Sequence, residues 1–372
     1  MTNQEILNSD ELSLPKIRTN DNFVEFATTV INDYLNIIKQ FDREENIFIE
    51  KNWNSIDFLC GKLVKSIEEY YNGYISKSFD LFSQGIEEIK KFLWIPKEDG
   101  AKHMGIINLY KIRPNKNSLK INAAGMFHIP FHQREMSKSY RFSIPGFPCL
   151  YLGDSIYTCW EELTRIRKGF SVSRFEIQDS LLNIVDISIL SKHMGNFYIE
   201  LQEANLQNKT SQIINNHIVS WPLKALCYIK TKTHFEFKPE YIIPQHLMQW
   251  VRLNNEHIDG IKYNSTKIEN SFFNSFEDHI NYAFPVKNIS DKGLCSDLKS
   301  KIKVTEPIHF NNKIDLRKKL KVRQCSKDHI INYSMQCSKR ILMVGKSKTV
   351  YWNSIFGELE EQLIKKTAKK LE

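Results

Sequence analysis

The chain has 372 residues, 41% of them hydrophobic and 26% charged, with a formal net charge of +9. That length allows two or three domains with substantial cores. No apolar run of the roughly 18 residues needed to cross a membrane is present, and the polar, acidic opening MTNQEILNSDELSLPK lacks the apolar stretch of a secretion signal. The first predicted element is therefore a flexible tail over residues 1–20. From Phe23 the apolar positions Phe23, Phe26, Val30, Tyr34, Ile37, Ile38 and Phe41 follow a helical repeat. A second repeat runs Ile56, Leu59, Cys60, Leu63, Ile67, Tyr70, Tyr71, Tyr74, then Phe79, Phe82, Ile86, Ile89 and Leu93. Neither contains proline, so residues 21–95 read as a helical N-terminal domain, suited to regulation or oligomerisation. WIPKEDG (94–100) reads as a linker.

Beyond the linker the pattern changes to short strands punctuated by Gly and Pro. Strands are expected at 105–113, 148–153, 170–177, 181–188, 224–230 and 259–265, with helices at 154–167 and 244–257. This order lacks regular βαβ spacing and predicts an α+β fold. Residues 291–372 read as a charged C-terminal extension with one strand, RILMVG (340–345), and a terminal amphipathic helix from Ser354. The basic surplus is densest in RKKLKVR (317–323) and KKTAKK (365–370), and its spread along the chain reads as a solvated surface rather than a nucleic-acid groove.

Several motifs carry little. VGKSKT (344–349) would need a glycine where Arg340 stands to wrap a phosphate. In HIPFH (128–132), Pro130 prevents the helix that would align the two histidines on a metal. The seven cysteines (Cys60, Cys149, Cys159, Cys227, Cys295, Cys325, Cys337) are odd in number and form no C-x-x-C, which favours reduced thiols in a cytoplasm and no structural metal. More informative is RFSIPGFPCLYLGDSIYTCWEEL (141–163). Its helix has Ile156, Cys159, Trp160 and Leu163 on the apolar side, so helical phase sends Glu161 to solvent and puts Glu162 at the edge of the seam. On pattern alone, two surface acids near a helix start, favoured by the macrodipole, are the more expected reading.

The same stretch resembles the RES domain, a family named for its Arg, Glu and Ser. Arg141, the Pro-Gly turn, the Pro-apolar-apolar-Tyr-Leu run and Glu162 follow its pattern. LYKIRP (109–114) is similar to the family's basic opening strand, and either Lys111 or Arg113 fills the basic position. PEYIIPQHLMQWVRLNNEHIDGIKYNSTK (239–267) resembles its helix, Asp-Gly turn and Ser-bearing strand, with Ser265 in the Ser position, and NYAFP (281–285) resembles its closing strand. The match spans residues 105–290, with long insertions at 114–140 and 189–222.

The resemblance implies a mixed, split β-sheet core like that of ADP-ribosyltransferases. It also implies consumption of NAD+ by cleavage of the nicotinamide–ribose bond, with water, phosphate or a protein side chain as acceptor, in a toxin held in check by an antitoxin. In that chemistry positive charge builds on the ribose, which a carboxylate stabilises. Glu162 would take that role. Arg141 and Lys111 or Arg113 would hold the pyrophosphate, Tyr151 would stack on the cationic nicotinamide, and Ser265, on the strand face of Ile261 and Tyr263, would donate to the ligand. Protein ADP-ribosylation is a second enzymatic reading. A basic, non-enzymatic scaffold or nucleic-acid-binding regulator with a degenerate core is the contrasting one, distinguished by a salt-dependent gel shift without nicotinamide release.

Overall fold

The computed structural model describes residues 3–41, 43–93, 105–115, 121–166, 169–188, 207–230, 236–254, 256–267, 279–310, 341–344 and 347–372. The order begins α1 (Asn3–Leu7), β1 (Lys16–Ile17), α2 (Phe23–Ile38), α3 (Arg43–Tyr71) and α4 (Ile75–Ile89). It continues with β2 (Ile106–Pro114), α5 (Ala123–Met126), β3 (Cys149–Gly153), α6 (Ile156–Glu162), β4 (Phe170–Gln178) and β5 (Ile184–Asp186). Next come α7 (Gln207–Cys227), β6 (Ile229–Lys230), α8 (Ile242–Leu253), β7 (Gly260–Asn264) and β8 (Ile280–Pro285). The last elements are α9 (Ser296–Lys301), β9 (Ile302–Val304), β10 (Ile308–Phe310), β11 (Ile341–Val344), β12 (Ser347–Val350) and α10 (Ile355–Ile364). The fold is α+β with both parallel and antiparallel strand pairs, as expected. The chain divides into two units, Met1–Ala101 with Lys138–Pro145 and Asn183–Thr266, and Lys102–Ser137 with Gly146–Leu182 and Lys267–Glu372.

In the first unit α2 buries the side expected from its repeat, Phe23 through Ile38, and Asn22 caps its start by accepting from the Glu25 amide. The Tyr34 ring stacks on Trp221 of α7 at 4.9 Å, and its hydroxyl donates to the Ile218 carbonyl at 2.7 Å. Between α3 and α4, Ser66 and Ser78 exchange side-chain-to-carbonyl hydrogen bonds, and the Ser78 hydroxyl also meets His246 Nε2 of α8 at 2.8 Å. Trp250 of α8 donates to Glu87 of α4. The helices of residues 21–95 thus share their core with α7 and α8 rather than standing as a separate domain, and the expected 105–290 domain is divided between the two units. Parallel pairs β1–β6 and β5–β7 complete the unit.

Three local expectations are corrected here. Residues 3–20 are not a tail: Ile6, Leu7, Leu12 and Leu14 are buried, the Leu12 carbonyl accepts from the Trp221 indole, and β1 pairs with β6. Residues 224–227, expected in a strand, end α7, and strand begins only at Ile229. That stretch is buried on all sides, from Leu223 through Ile229, and a fully buried apolar run has no periodicity to separate helix from strand. Tyr71 and Tyr74, placed in the apolar repeat, are exposed at the α3–α4 turn, where Gly73 takes φ +83°.

The second unit is built on an antiparallel order β10-β4-β2-β3-β8. β4 carries two short strands on one edge, β10 along Phe170–Val172 and β9 along Phe175–Ile177. Arg174, between them, is buried. Its guanidinium donates to Asn108 and Glu176 and to the Leu363 and Lys366 carbonyls at the end of α10. Phe356 of α10 packs on Tyr157 and Trp160 of α6 at 5.4 and 5.3 Å. Residues 351–372 therefore belong to the body of this unit, not to an appended extension. The expected strand and helix there are present, with Ser354 capping α10. The 94–100 linker, RKKLKVR, Cys325 and Cys337 lie outside the described residues.

Candidate functional site

β3 leads into α6 through Gly153, Asp154 and Ser155. A Cβ at Gly153 would stand 2.8 Å from Cys159 Sγ, so only glycine lets the first turn of the helix fold back this closely. Ser155 caps α6, its hydroxyl accepting from the Thr158 amide at 3.1 Å. The Ile156 amide is capped from far away, donating to the buried Glu360 carboxylate of α10 at 2.7 Å.

Glu161 and Glu162 close the helix in different ways. Glu161 is buried, 6% exposed, and accepts from Arg165 Nε through both oxygens at 3.1 and 2.9 Å. Thr164 and Arg165 take left-handed conformations, φ +58° and +56°, and their amides return to the Glu161 and Trp160 carbonyls. The Glu161–Arg165 pair holds this glycine-free helix end. Tyr157, buried beside it, has its hydroxyl pKa raised by desolvation and then by Glu161. The expectation that Glu161 faces solvent is corrected: α10 covers the side that helical phase assigned to water, and Ile156 through Glu161 are all buried.

Glu162 is 30% exposed. Its Oε1 accepts from Asn281 Nδ2 of β8 at 2.9 Å, and Lys267 Nζ lies 3.6 Å from Oε2 while donating to the Glu162 carbonyl. Register sets Gly153 against Asn281 and Tyr151 against Ala283, so Tyr151 and Asn281 share one face of the β3–β8 ladder. Tyr151 is half-buried and shares a side-chain hydrogen bond with Cys149. Asn281 and Lys267 were not among the expected site residues. The signal for Asn281 was present in NYAFP, whose first residue is the polar one in an otherwise apolar strand.

Lys111 and Arg113 alternate with Tyr110 and Ile112, which pack in the cluster containing Ile156, Tyr157 and Trp160 of α6. The two cations therefore occupy the other face of β2. There they meet the end of α5: Lys111 Nζ donates to the Phe127 carbonyl at 2.7 Å and Arg113 to the Gly125 carbonyl. Part of the Lys111 side chain is exposed, but desolvation at its ammonium, with Arg113 second, pulls its pKa down to about 7.

Arg141 and Ser265 lie in the first unit. Arg141 donates to the Cys227 and Ile229 carbonyls at 3.0 and 2.9 Å and lies over the Tyr241 ring at 5.0 Å. The neighbouring Phe142 ring packs on Tyr263 at 4.3 Å. Ser265 is buried immediately after β7, beside Asn264, whose amide donates to the Tyr228 hydroxyl. Arg141 thus braces the α7–β6 turn that carries Tyr228, and through Asn264 this turn borders Ser265.

Among the described residues no group of three His, Cys, Asp or Glu could hold a metal ion. His128 of HIPFH is buried, with Nδ1 on the Ile129 carbonyl and Nε2 accepting from the Cys295 amide. Val344 and Ser347 of the VGKSKT stretch pair in the β11–β12 hairpin, whereas a phosphate loop would lead into a helix. No helix among the described residues is long and apolar enough to cross a membrane.

The chain is 30% identical over 311 residues to a Bacillus subtilis (strain 168) protein named "Putative toxin YopC", the alignment covering 80% of this chain and 69% of the relative. No family model and no solved structure matches it.

Proposed function

Since the chain belongs to the same family as the Bacillus subtilis protein YopC, we propose that it is a toxin that acts by cleaving the nicotinamide–ribose bond of NAD+. The observation that carries this reading is Glu162: a part-exposed carboxylate at the end of a buried helix, its Oε1 fixed by Asn281 and its Oε2 beside Lys267. A carboxylate fixed on one oxygen has a defined direction for the other. Placed beside a ribose whose anomeric carbon is becoming cationic, it stabilises the transition state more than the ground state. Such pre-oriented electrostatics supply about 3–4 kcal/mol of barrier lowering. Tyr151, on the ladder face of Asn281, offers a ring to the nicotinamide.

The remaining roles rest on the RES resemblance. The resemblance gives the pyrophosphate to Lys111 or Arg113 and ligand contacts to Arg141 and Ser265, but Lys111 and Arg113 lie on the face of β2 turned away from α6, so the reading rests on Glu162 and Tyr151. An ADP-ribosyltransferase-like core and a neutralising protein partner belong to the same proposal. The test is incubation of the purified full chain with NAD+, following nicotinamide. Release in proportion to protein concentration is expected, as is NAD+ depletion in a bacterium expressing the chain alone. Folded protein that releases no nicotinamide, even at concentrations comparable to NAD+, overturns the reading.

A further inference from the structure

Just before β8 stands His279, a buried non-glycine residue in the left-handed region, φ +64°. Left-handed backbone at such a residue persists only where its surroundings hold it, and such positions gather at functional sites. His279 packs on α6. Its Nδ1 lies 3.3 Å from the Thr158 hydroxyl, and its ring meets the Tyr157 ring edge-on at 5.5 Å. Thr158 donates to Asp154 Oδ1 at 2.7 Å and stands 2.9 Å from the Ser155 hydroxyl. The Asp154 amide donates to the Ile280 carbonyl at 2.8 Å.

We propose that Asp154, Thr158 and His279 form a positioning chain that locks α6 to β8 and so sets Glu162 against Asn281; it rests on the role assigned to Glu162 above. The proton count makes the chain directional. A threonine hydroxyl has one proton, and here the carboxylate of Asp154 takes it. Thr158 Oγ1 must then accept from His279, which fixes the Nδ1–H tautomer. Thr158 lies one helical turn before Glu162, and His279 lies two residues before Asn281. Each end of the Glu162–Asn281 hydrogen bond is thus anchored one short step from the same hydroxyl. Slippage between helix and strand would pull apart the donor and the carboxylate together.

Thr158→Val removes the hydroxyl while keeping the shape of the side chain. Thr158→Ser keeps the hydroxyl. His279→Asn removes the ring but tolerates left-handed backbone. Each variant is measured for nicotinamide release, for the Asn281 side-chain amide resonance and for the ring-nitrogen shifts of His279 where present. Expected for Thr158→Val are loss of the Nδ1–H tautomer signature, a displaced Asn281 signal, and kcat lower by about tenfold with KM within about twofold. Thr158→Ser restores all three. Should Thr158→Val not fold, His279→Asn carries the Asn281 and turnover readouts. An Asn281 signal unchanged in the folded variants overturns the inference, as does wild-type turnover in a variant whose signal has moved. Wild-type protein without nicotinamide release overturns the reading of Glu162 itself, while the tautomer and the Asn281 signal still decide whether the chain of contacts positions that amide.

Discussion

Replacing each of the adjacent glutamates with glutamine should produce opposite signatures. Glu162→Gln retains an amide oxygen able to accept from Asn281 Nδ2, and loses an ion pair whose members are 47% and 30% exposed at 3.6 Å. A pair that exposed contributes about 0–1 kcal/mol, so the melting temperature should stay within about 4 °C. Turnover should fall by roughly 10²–10³, the equivalent of about 3–4 kcal/mol lost in the transition state. Glu161→Gln instead breaks a charge-assisted pair in which the carboxylate is 6% exposed and Arg165 is half-exposed. The stranded guanidinium can still hydrate, which limits the cost to about 1–2 kcal/mol. At about 2–4 °C per kcal/mol for a unit of this size, the melt should drop by about 2–8 °C while turnover changes less than about threefold. Nicotinamide release and thermal melts on both proteins decide it. Glu161→Gln losing turnover with its melt intact, or Glu162→Gln losing stability but not turnover, would refute the division of roles drawn from the geometry.

Lys111 has a folded pKa of about 7 against an ordinary 10.5, so the unfolded chain binds the extra proton between those values and stability should rise with pH across that window. If Lys111 meets a phosphate, ADP-ribose binding at pH 8 should take up close to one proton, measured by calorimetry in buffers of different ionisation enthalpy; no uptake would remove Lys111 from the ligand. His128 and His246 are held neutral by burial, with pKa values near 4. Unfolding lets them protonate, so stability should fall as pH drops from about 6.5 towards 4, by up to about 3 kcal/mol for each, and urea melts that are flat from pH 7 to 4.5 would contradict this. Deleting residues 1–20 should leave the first unit unable to fold stably. Four buried aliphatic side chains go with them, at roughly 1.5–3 kcal/mol each, and a far-ultraviolet melt identical to that of the full chain would show otherwise.

What was legible in the sequence was local. Strands β2, β3, β4 and β7 and helices α2, α6, α8 and α10 lie where periodicity and turn residues put them, because those signals act over a few residues, whereas β8 was placed by the family resemblance. The division into units was not legible, since each unit is assembled from separate stretches of chain by tertiary packing. The misread phase of α6 has the same origin. Amphipathic reasoning assumes a helix with one wet side, and seven residues walled by Phe356 and capped by Glu360 have almost none. Placing residues 291–372 outside the domain therefore also misplaced Glu161. Glu162 was found where expected, but its partners Asn281 and Lys267 come from 105 or more residues further along the chain, where no spacing rule reaches.

The Glu360 cap on the Ile156 amide joins residues 204 positions apart. During synthesis at about 5–20 residues per second, some 10–40 seconds separate the emergence of the glutamate-bearing helix from that of the carboxylate that caps it. A nascent chain that stops short of residue 355 has Glu162 but neither the cap nor the Phe356 wall of its helix. Assembly of the site is thereby deferred until residues 355–360 have been made, and messages broken or stalled before residue 355 yield chains without that wall or cap.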